Sequence, residues 1–481
     1  MGGINANIVV KLSYIQVYIV LKWKEKEMIK KVKWHNHAIL GNLELDFTKP
    51  DGTIYDTIVL AGENGTGKTT VLETLSTFLN LGSIEPFEYI NYIADGIPYT
   101  ITPNPDDNPQ LGFHFRKNEI DRTTEIIRTN RNNSPQLIES DQADIRHYGF
   151  SYSKARSGFN TQKVRSTTTQ QLDSEKYEND SQDDFTSIKQ LIVDIDAQDN
   201  SKWMEITKSG VGTPYNTFRL TSKMYRFEKA FNDFFDTVKF SGVDNTNLEE
   251  IKILFEKHTH KIPVDSLSTG EKQIVFRGAQ MLKNINSMSG GIALVDEPEL
   301  SMHPKWQQKV LNYYRSLFDR NGSPDTQMII ATHSEYVLRS ALEDRDNILI
   351  IVLSDNNGTV CSRNITTPTV LPTITSAETN YLAFGILSVD YHIELYGYLQ
   401  NKTGCSTVKD CDNYIANQTA LFNPSLHGKS SSFTNPNNHH TTNYQTLPTF
   451  IRNLIDHPDP TRNYTQDELK SSTELLIELC R

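Results

Sequence analysis

Apolar residues recur in two short runs, Ile29–Val32 and Leu43–Phe47, which predict two short strands broken by polar turns. Thr57–Leu60 is an unbroken apolar run that predicts a strand buried on both faces, and it leads straight into a glycine-rich stretch. Val71, Leu72, Leu75 and Leu79 then recur at helical spacing. The predicted order is strand, loop, helix. Three more apolar runs, Ile292–Val295, Met328–Ala331 and Ile348–Leu353, predict further buried strands. Between these segments the texture changes. Residues 103–184 are crowded with Asn, Gln, Ser, Thr and Asp and predict a solvated polar insertion with strand fragments such as Leu111–Phe115. Residues 185–260 carry stripes (Ile188, Leu191, Ile192, Ile195, then Phe227, Phe231, Phe234, Phe235) that predict a helical subdomain. After Pro372 helical spacing returns at Tyr381–Gln400, Thr446–Asp456 and Asp467–Cys480, while Ser425–Thr442, rich in Ser, Asn and His, predicts a mobile loop. The expected organisation is an N-terminal extension (1–27), a main domain (28–370) and a C-terminal helical domain (371–481).

Composition narrows this picture. A chain of 481 residues with 37% hydrophobic residues can bury a core in each of about two to four units. A net charge of −11 means that bulk charge will not hold it on nucleic acid or anionic lipid. The one basic zone, residues 116–165, has ten Lys/Arg against six Asp/Glu, and a solvated face is the more economical reading of it than a nucleic-acid surface. Four cysteines at 361, 405, 411 and 480 match neither a disulfide framework nor zinc knuckles, pointing to a reducing, cytoplasmic setting. No segment approaches the roughly 18 apolar residues of a membrane span. The nearest, Ile8–Leu21, is broken by Lys11, Ser13 and Gln16, and residues 1–27 lack a signal-cleavage pattern.

Three motifs carry chemistry. Gly62-Glu63-Asn64-Gly65-Thr66-Gly67-Lys68-Thr69, followed by Thr70, satisfies GxxxxGK[ST] in the strand–loop–helix setting it requires. The glycines let backbone N–H groups surround a phosphate, and the helix N-terminus adds its positive dipole end. Lys68 can reach the terminal phosphates of ATP, and Thr69 can offer its hydroxyl to Mg²⁺. Ile292–Val295 ends in Asp296 and Glu297. Asp296 suits a Mg²⁺ ligand and Glu297 a base for the attacking water. Ser266-Leu-Ser268-Thr-Gly270-Glu-Lys-Gln273 opens a predicted helix and forms a second phosphate cradle. One terminal phosphate has no use for two cradles on one chain, so this one points to a second copy's ATP.

The order P-loop, LSTGEKQ (267–273), LVDEPE (294–299) and IATHS (330–334) resembles the ATP-binding-cassette superfamily, and within it the soluble SMC-like and OLD-like branch of prokaryotic repair and phage-defence proteins. The resemblance covers roughly residues 28–355. It implies an α/β P-loop NTPase fold with an antiparallel β subdomain and a helical subdomain, working as a head-to-tail dimer with two ATP molecules between P-loop and signature. Ser268 and Gly270 would then meet the partner's γ-phosphate, His333 would be the switch histidine, and Glu299–His303 would cross the interface. The chain departs from the family in having Thr269 where transporters prefer glycine and no heptad arm between Thr69 and Ser268. It also lacks a clear Q-loop glutamine, whose place in the resemblance falls to His147–Arg156, with Gln142 only nearby.

In the tail, no Glu and Asp-x-Asp set for a Toprim nuclease follows His333. Arg452-Asn453-Leu-Ile-Asp-His457 matches RNxxxH and resembles the HEPN ribonuclease motif, which would make His457 an acid/base, Arg452 a phosphorane stabiliser and Asn453 a positioning group. A capping histidine before Pro458 is an equally natural reading, and the tail is acidic, with seven Lys/Arg against eleven Asp/Glu from 371 to 481. His439 and His440 read as a solvated pair. The leading expectation is an ATP-gated dimer that regulates an HNH-type nuclease partner, as the resemblance to Septu-type antiphage ATPases implies. The alternatives are an intrinsic HEPN-type nuclease acting on tRNA or other RNA, and a clamp ATPase of DNA repair.

Overall fold

The computed structural model describes residues 27–104, 113–128, 138–156, 159, 161–173, 177–179, 185–210, 212–246, 249–320, 323–434 and 441–481. Residues 1–26 of the expected extension, and His439 and His440, lie outside the described residues. The chain divides into two compact units, Met1–Ser362 and Arg363–Arg481.

The first unit starts as an antiparallel sheet of β1 (Met28–Trp34), β2 (Glu44–Asp46), β4 (Phe87–Ala94), β5 (Ile97–Pro103), β6 (Phe113–Asn118) and β7 (Thr124–Arg128), in the spatial order β2-β1-β4-β5-β6-β7. Val32 faces Leu45 on one side and Ile90 on the other. β3 (Thr57–Ala61) belongs to a second sheet. It leads into α1 (Lys68–Leu79), whose Val71, Leu72, Leu75, Phe78 and Leu79 are buried. Trp34, fully buried, donates its indole N–H to Thr74 Oγ1 of α1 (3.1 Å).

The second sheet also contains β8 (Phe150–Ser153), β9 (Tyr177–Asn179), β13 (Ile292–Asp296), β14 (Gln327–Thr332), β15 (Ile348–Asn356) and β16 (Thr359–Asn364), in the order β16-β15-β3-β14-β13-β8-β9. From β15 to β9 every pairing is parallel: Val59 lies between Ile330 and Ile350, and Leu294 between Ile329 and Tyr152. Strands buried on both faces need apolar residues throughout, which explains the uninterrupted runs. Gln327 links the sheets. Its buried amide accepts from Ile29 N–H (2.8 Å) and donates to Ile29 O (2.9 Å), replacing a strand partner between β1 and β14.

Three expectations are corrected here. The polar stretch 103–184 is not a solvated insertion throughout, because it supplies β6 and β7 to one sheet and β8 and β9 to the other. Its basic zone is also partly internal. Arg116 is buried and bonded to Asp141 and Glu125, Arg146 is buried on Asp144, and buried Arg156 lies over the Phe185 ring. Residues 185–260 are helical only in their first part, as α2 (Thr186–Lys208), α3 (Tyr215–Leu220) and α4 (Tyr225–Phe234). β10 (Val238–Asp244), β11 (Lys252–Lys257) and β12 (His260–Pro263) follow as an antiparallel sheet, against which Phe231 packs through Phe240 and Phe255.

α5 (Thr269–Lys272), a π-helical turn (Gln273–Arg277) and α6 (Gly278–Lys283) come before β13. α7 (Pro304–Leu317) and α8 (Glu335–Leu342) flank β14 in sequence.

The second unit is built from α9 (Ser376–Phe384), α10 (Val389–Lys402), α11 (Val408–Ala416), α12 (Pro424–His427), α13 (Leu447–Asp456) and α14 (Gln466–Cys480). The described residues of the segment expected to be a mobile loop instead belong to α12 and an antiparallel hairpin of β17 (Gly428–Thr434) and β18 (Thr441–Thr446). Buried Asp412 fixes the end of β18 by accepting from Gln445 N, Thr446 N and Thr446 Oγ1. No helix among the described residues is long and apolar enough to cross a membrane.

Candidate functional site

Parallel strands of one sheet deliver their following loops to the same edge. β3, β13 and β14 therefore bring the glycine-rich loop, the Asp296–Glu297 pair and His333 to one place. Gly67 closes the loop with φ 87° as the residue preceding α1, a left-handed conformation that favours glycine. Lys68 is only 4% exposed, and its ammonium donates to Gly62 O (2.8 Å) and Glu63 O (2.9 Å). Burial pushes its pKa down to about 8, against the upward pull of Glu297, Asp296 and Glu299. A cation held on its own loop beside the helix N-terminus is suited to an incoming polyphosphate. Glu63, Asn64 and Gly65 of the loop are exposed, and Thr66 is buried with its hydroxyl on Glu63 O (2.9 Å).

Thr69 Oγ1 donates to Asp296 Oδ2 (3.0 Å), so the two groups read from the sequence as Mg²⁺ ligands are neighbours across 227 positions of chain. Burial raises the Asp296 pKa to about 6. A buried carboxylate beside a hydroxyl is the hard oxygen set that Mg²⁺ prefers. Glu297 Oε1 lies 3.3 Å from His333 Nε2, and this contact is the main reason its pKa is lowered. Glu297 adopts φ 44° and donates its N–H to Ala331 O (2.9 Å), which seats the strand end of β13 against β14. Thr70 stands in the first turn of α1, where its carbonyl accepts from Thr74 Oγ1.

The signature turn is organised separately. Ser268 is exposed and caps α5 through a reciprocal box: its N–H and hydroxyl donate to Glu271 Oε2 (2.7 and 2.8 Å). Among the described residues its side chain meets Glu271 and no P-loop or acidic site residue. Gly270 is buried where a Cβ would lie 2.8 Å from Ser301 O and 3.3 Å from the Trp306 ring, so the turn rests on the 299–303 loop.

Two residues of the site were not singled out from sequence. Glu299 was read only as the start of a loop, yet its buried Oε1 accepts from Thr332 Oγ1 and His333 N (both 2.7 Å) and so aims the His333 loop. Arg277, fully buried, donates to the carbonyls of Asp296 (2.6 Å) and Glu297 (3.0 Å). The only sequence signal was an arginine on an otherwise apolar helical stretch. β8 lies within the His147–Arg156 segment expected at the Q-loop's place, and Gln142 O accepts from Tyr148 Oη (2.9 Å).

Of the C-terminal candidates, Asn453 and His457 share a cleft of about 340 Å³ that Arg452 does not line. Arg452 is held by Asp456 (2.7 Å) and by Asn453 Oδ1 (3.0 Å). His457 caps α13 and stacks on Phe433 (centroids 4.7 Å apart).

A family model described as "AAA domain, putative AbiEii toxin, Type IV TA system" matches residues 114–339, a span that includes the signature, Asp296, Glu297 and His333. The chain is 29% identical over 130 residues to "Retron Vc95 probable ATPase" of Vibrio cholerae serotype O1 biovar El Tor, covering 25% of this chain and 23% of that protein. It is 20% identical over 344 residues to "Septu protein PtuA" of Bacillus mycoides (strain KBAB4), covering 68% of this chain and 41% of that one. The chain is similar in sequence to ATPases of antiphage defence. It thus spans less than half the length of these curated relatives. A solved SMC head bound to the C-winged-helix domain of ScpA aligns with a TM-score of 0.38 at 16% identity, over 70% of this chain and 98% of that one.

Proposed function

We propose that the chain binds ATP with Mg²⁺ and hydrolyses it to ADP and phosphate as a head-to-tail homodimer, in the cytoplasm, and that its ATP state regulates a nuclease in antiphage defence. The observation that carries the ATPase reading is the convergence of Lys68, Thr69, Asp296, Glu297 and His333 on one sheet edge. The observation that supports the dimer is Ser268, an exposed helix-start hydroxyl whose side-chain partner is its own capping glutamate. The relation to the retron and Septu proteins supports the defence role, and the resemblance to Septu ATPases suggests an HNH-type partner.

Lys68 and the backbone N–H groups of the P-loop would bind and orient the phosphates. Thr69 and Asp296 would hold Mg²⁺, which supplies Lewis-acid polarisation of the phosphate oxygens. Glu297, held by His333, would accept a proton from the attacking water. Ser268 and Gly270 of the second copy would close the site and exclude bulk water.

The test compares three variants. Lys68→Ala loses ATP binding. Glu297→Gln keeps binding, loses about 10²–10⁴-fold in hydrolysis and accumulates as an ATP-bound dimer in sedimentation. Ser268→Arg leaves an ATP-binding monomer that hydrolyses slowly. Parental turnover by the Glu297→Gln protein would remove the base assignment, and parental turnover by a Ser268→Arg monomer would remove the dimer.

A further inference from the structure

Arg277 is a fully buried cation whose hydrogen bonds among the described residues all go to neutral acceptors. Its five N–H groups are all engaged: Nε on Ser153 Oγ (2.7 Å), Nη1 on Glu297 O (3.0 Å) and Gln273 Oε1 (3.3 Å), Nη2 on Asp296 O (2.6 Å) and Ser153 O (3.0 Å). Burying a charge on neutral acceptors alone is costly, and a structural role at this position would be filled more cheaply by an apolar side chain. The acceptors are the ends of two adjacent sheet strands, β8 and β13, and they include the main-chain carbonyls of both acids of the ATP site.

The guanidinium is carried by an irregular helical element. Arg277 ends a π-helical turn, an element found frequently at functional sites. That turn continues from α5, whose first residue follows Ser268. Glu271 of α5 is bound to Lys257 (2.7 Å), and Gln273 donates to Arg156 O at the far side of β8. A shift of the Ser268–Gly270 turn therefore reaches the peptides of Asp296 and Glu297 through one rigid side chain. Glu297 sits at φ 44°, a conformation that a non-glycine residue keeps only where its surroundings hold it, here Arg277 on its carbonyl and Ala331 on its N–H.

We infer that Arg277 is a positioning residue that couples the signature turn to the Asp296–Glu297 pair of the same chain, so that closing the turn over the partner's ATP sets the acids of the chain's own site. This rests on the dimer reading above. In a head-to-tail pair the turn serves one nucleotide and the acids the other, so Arg277 would connect the two ATP sites.

The experiment measures ATP affinity, kcat, the Hill coefficient of hydrolysis and melting temperature for the full-length chain and three variants. Arg277→Lys keeps the charge but not the fork, Arg277→Gln removes the charge, and Ser153→Ala removes one bond from an intact Arg277. The expected result is ATP affinity within about twofold, kcat lower by about 10²-fold for both Arg277 variants and several-fold for Ser153→Ala, and a Hill coefficient falling towards one. In mixed dimers, a parental protomer should hydrolyse more slowly beside a Lys68→Ala partner than beside a parental one, and an Arg277→Lys protomer should not distinguish the two. If the Arg277 variants do not fold, Ser153→Ala decides. A lower melting temperature with unchanged kcat and Hill coefficient makes Arg277 purely structural and overturns the inference. An ATP-bound Glu297→Gln dimer together with cooperativity retained in Arg277→Lys sinks the inference alone, whereas a Glu297→Gln protein that stays monomeric sinks the dimer reading beneath it.

Discussion

Glu299 is a carboxyl group with one satisfied oxygen and one orphan. Oε1 receives two hydrogen bonds, while Oε2 is buried with no partner among the described residues. Burial is the largest influence and raises its pKa, with Glu297 adding to the rise. The sign follows from linkage. A raised acid binds its proton more tightly in the folded chain, so acidification towards the ordinary value of 4.5 stabilises the fold, and that gain is lost as pH rises through the folded pKa. Glu299→Gln keeps the Oε1 acceptor and removes the charge. The variant should be more stable than its parent near pH 8, with the gap narrowing as pH is lowered, as thermal melts between pH 5 and 8 would show. None of this could be read from DEPELSMHP, because the partners that define Glu299 lie 33 and 34 positions away in ATHS. Lys68, Thr69 and Asp296 were legible because the P-loop and the strand-end acids each carry a local pattern with its own chemistry.

At the scale of elements, strands buried on both faces announced themselves as apolar runs, and β3, β13, β14 and β15 fall where those runs lie. The missed strands are those whose polar atoms are satisfied by distant groups. β8 is Phe-Ser-Tyr-Ser, buried throughout, with Ser151 donating to Met281 Sδ and Ser153 engaged by Arg277. β17 and β18 (GKSSSFT and TTNYQT) have almost no apolar side chains to alternate, so a hairpin there has no hydrophobic signature. The signature turn gives the element-scale prediction. In an exposed helix Gly→Ala stabilises by roughly 1 kcal/mol. At position 270 the new methyl would stand 2.8 Å from Ser301 O, a backbone atom that cannot swing away, and 3.3 Å from Trp306. Gly270→Ala should therefore push the turn off the 299–303 loop. Hydrolysis should fall at least about tenfold while the P-loop still binds ATP, a split that parallel nucleotide-binding and turnover assays would reveal.

For the molecule as a whole, each of the two units contains a histidine buried in neutral form. His114 in the first unit and His392 in the second are both pushed down to about 3, chiefly by burial. His392 is paired with Ser472 Oγ (2.8 Å), which ties α10 to α14. Because these bases are depressed below the ordinary 6.5, the unfolded chain takes up protons first as pH falls. Stability is fully present above about 6.5 and declines below it, by up to about 1.4 kcal/mol per pH unit for each histidine. Of the four tryptophans, the three among the described residues, at 34, 203 and 306, belong to the first unit. In a Trp23→Phe background, tryptophan fluorescence during denaturant unfolding thus follows that unit alone, while amide exchange in α10 and α14 of the same full-length chain follows the other. Between pH 6.5 and 5 both signals should lose about 2 kcal/mol. His392→Gln, which can still bond Ser472, should flatten the exchange profile of the second unit and leave the fluorescence midpoint of the first falling as before. Equal flattening of both signals would mean that the two units unfold as one, and no flattening would mean that His392 is charged in the folded chain.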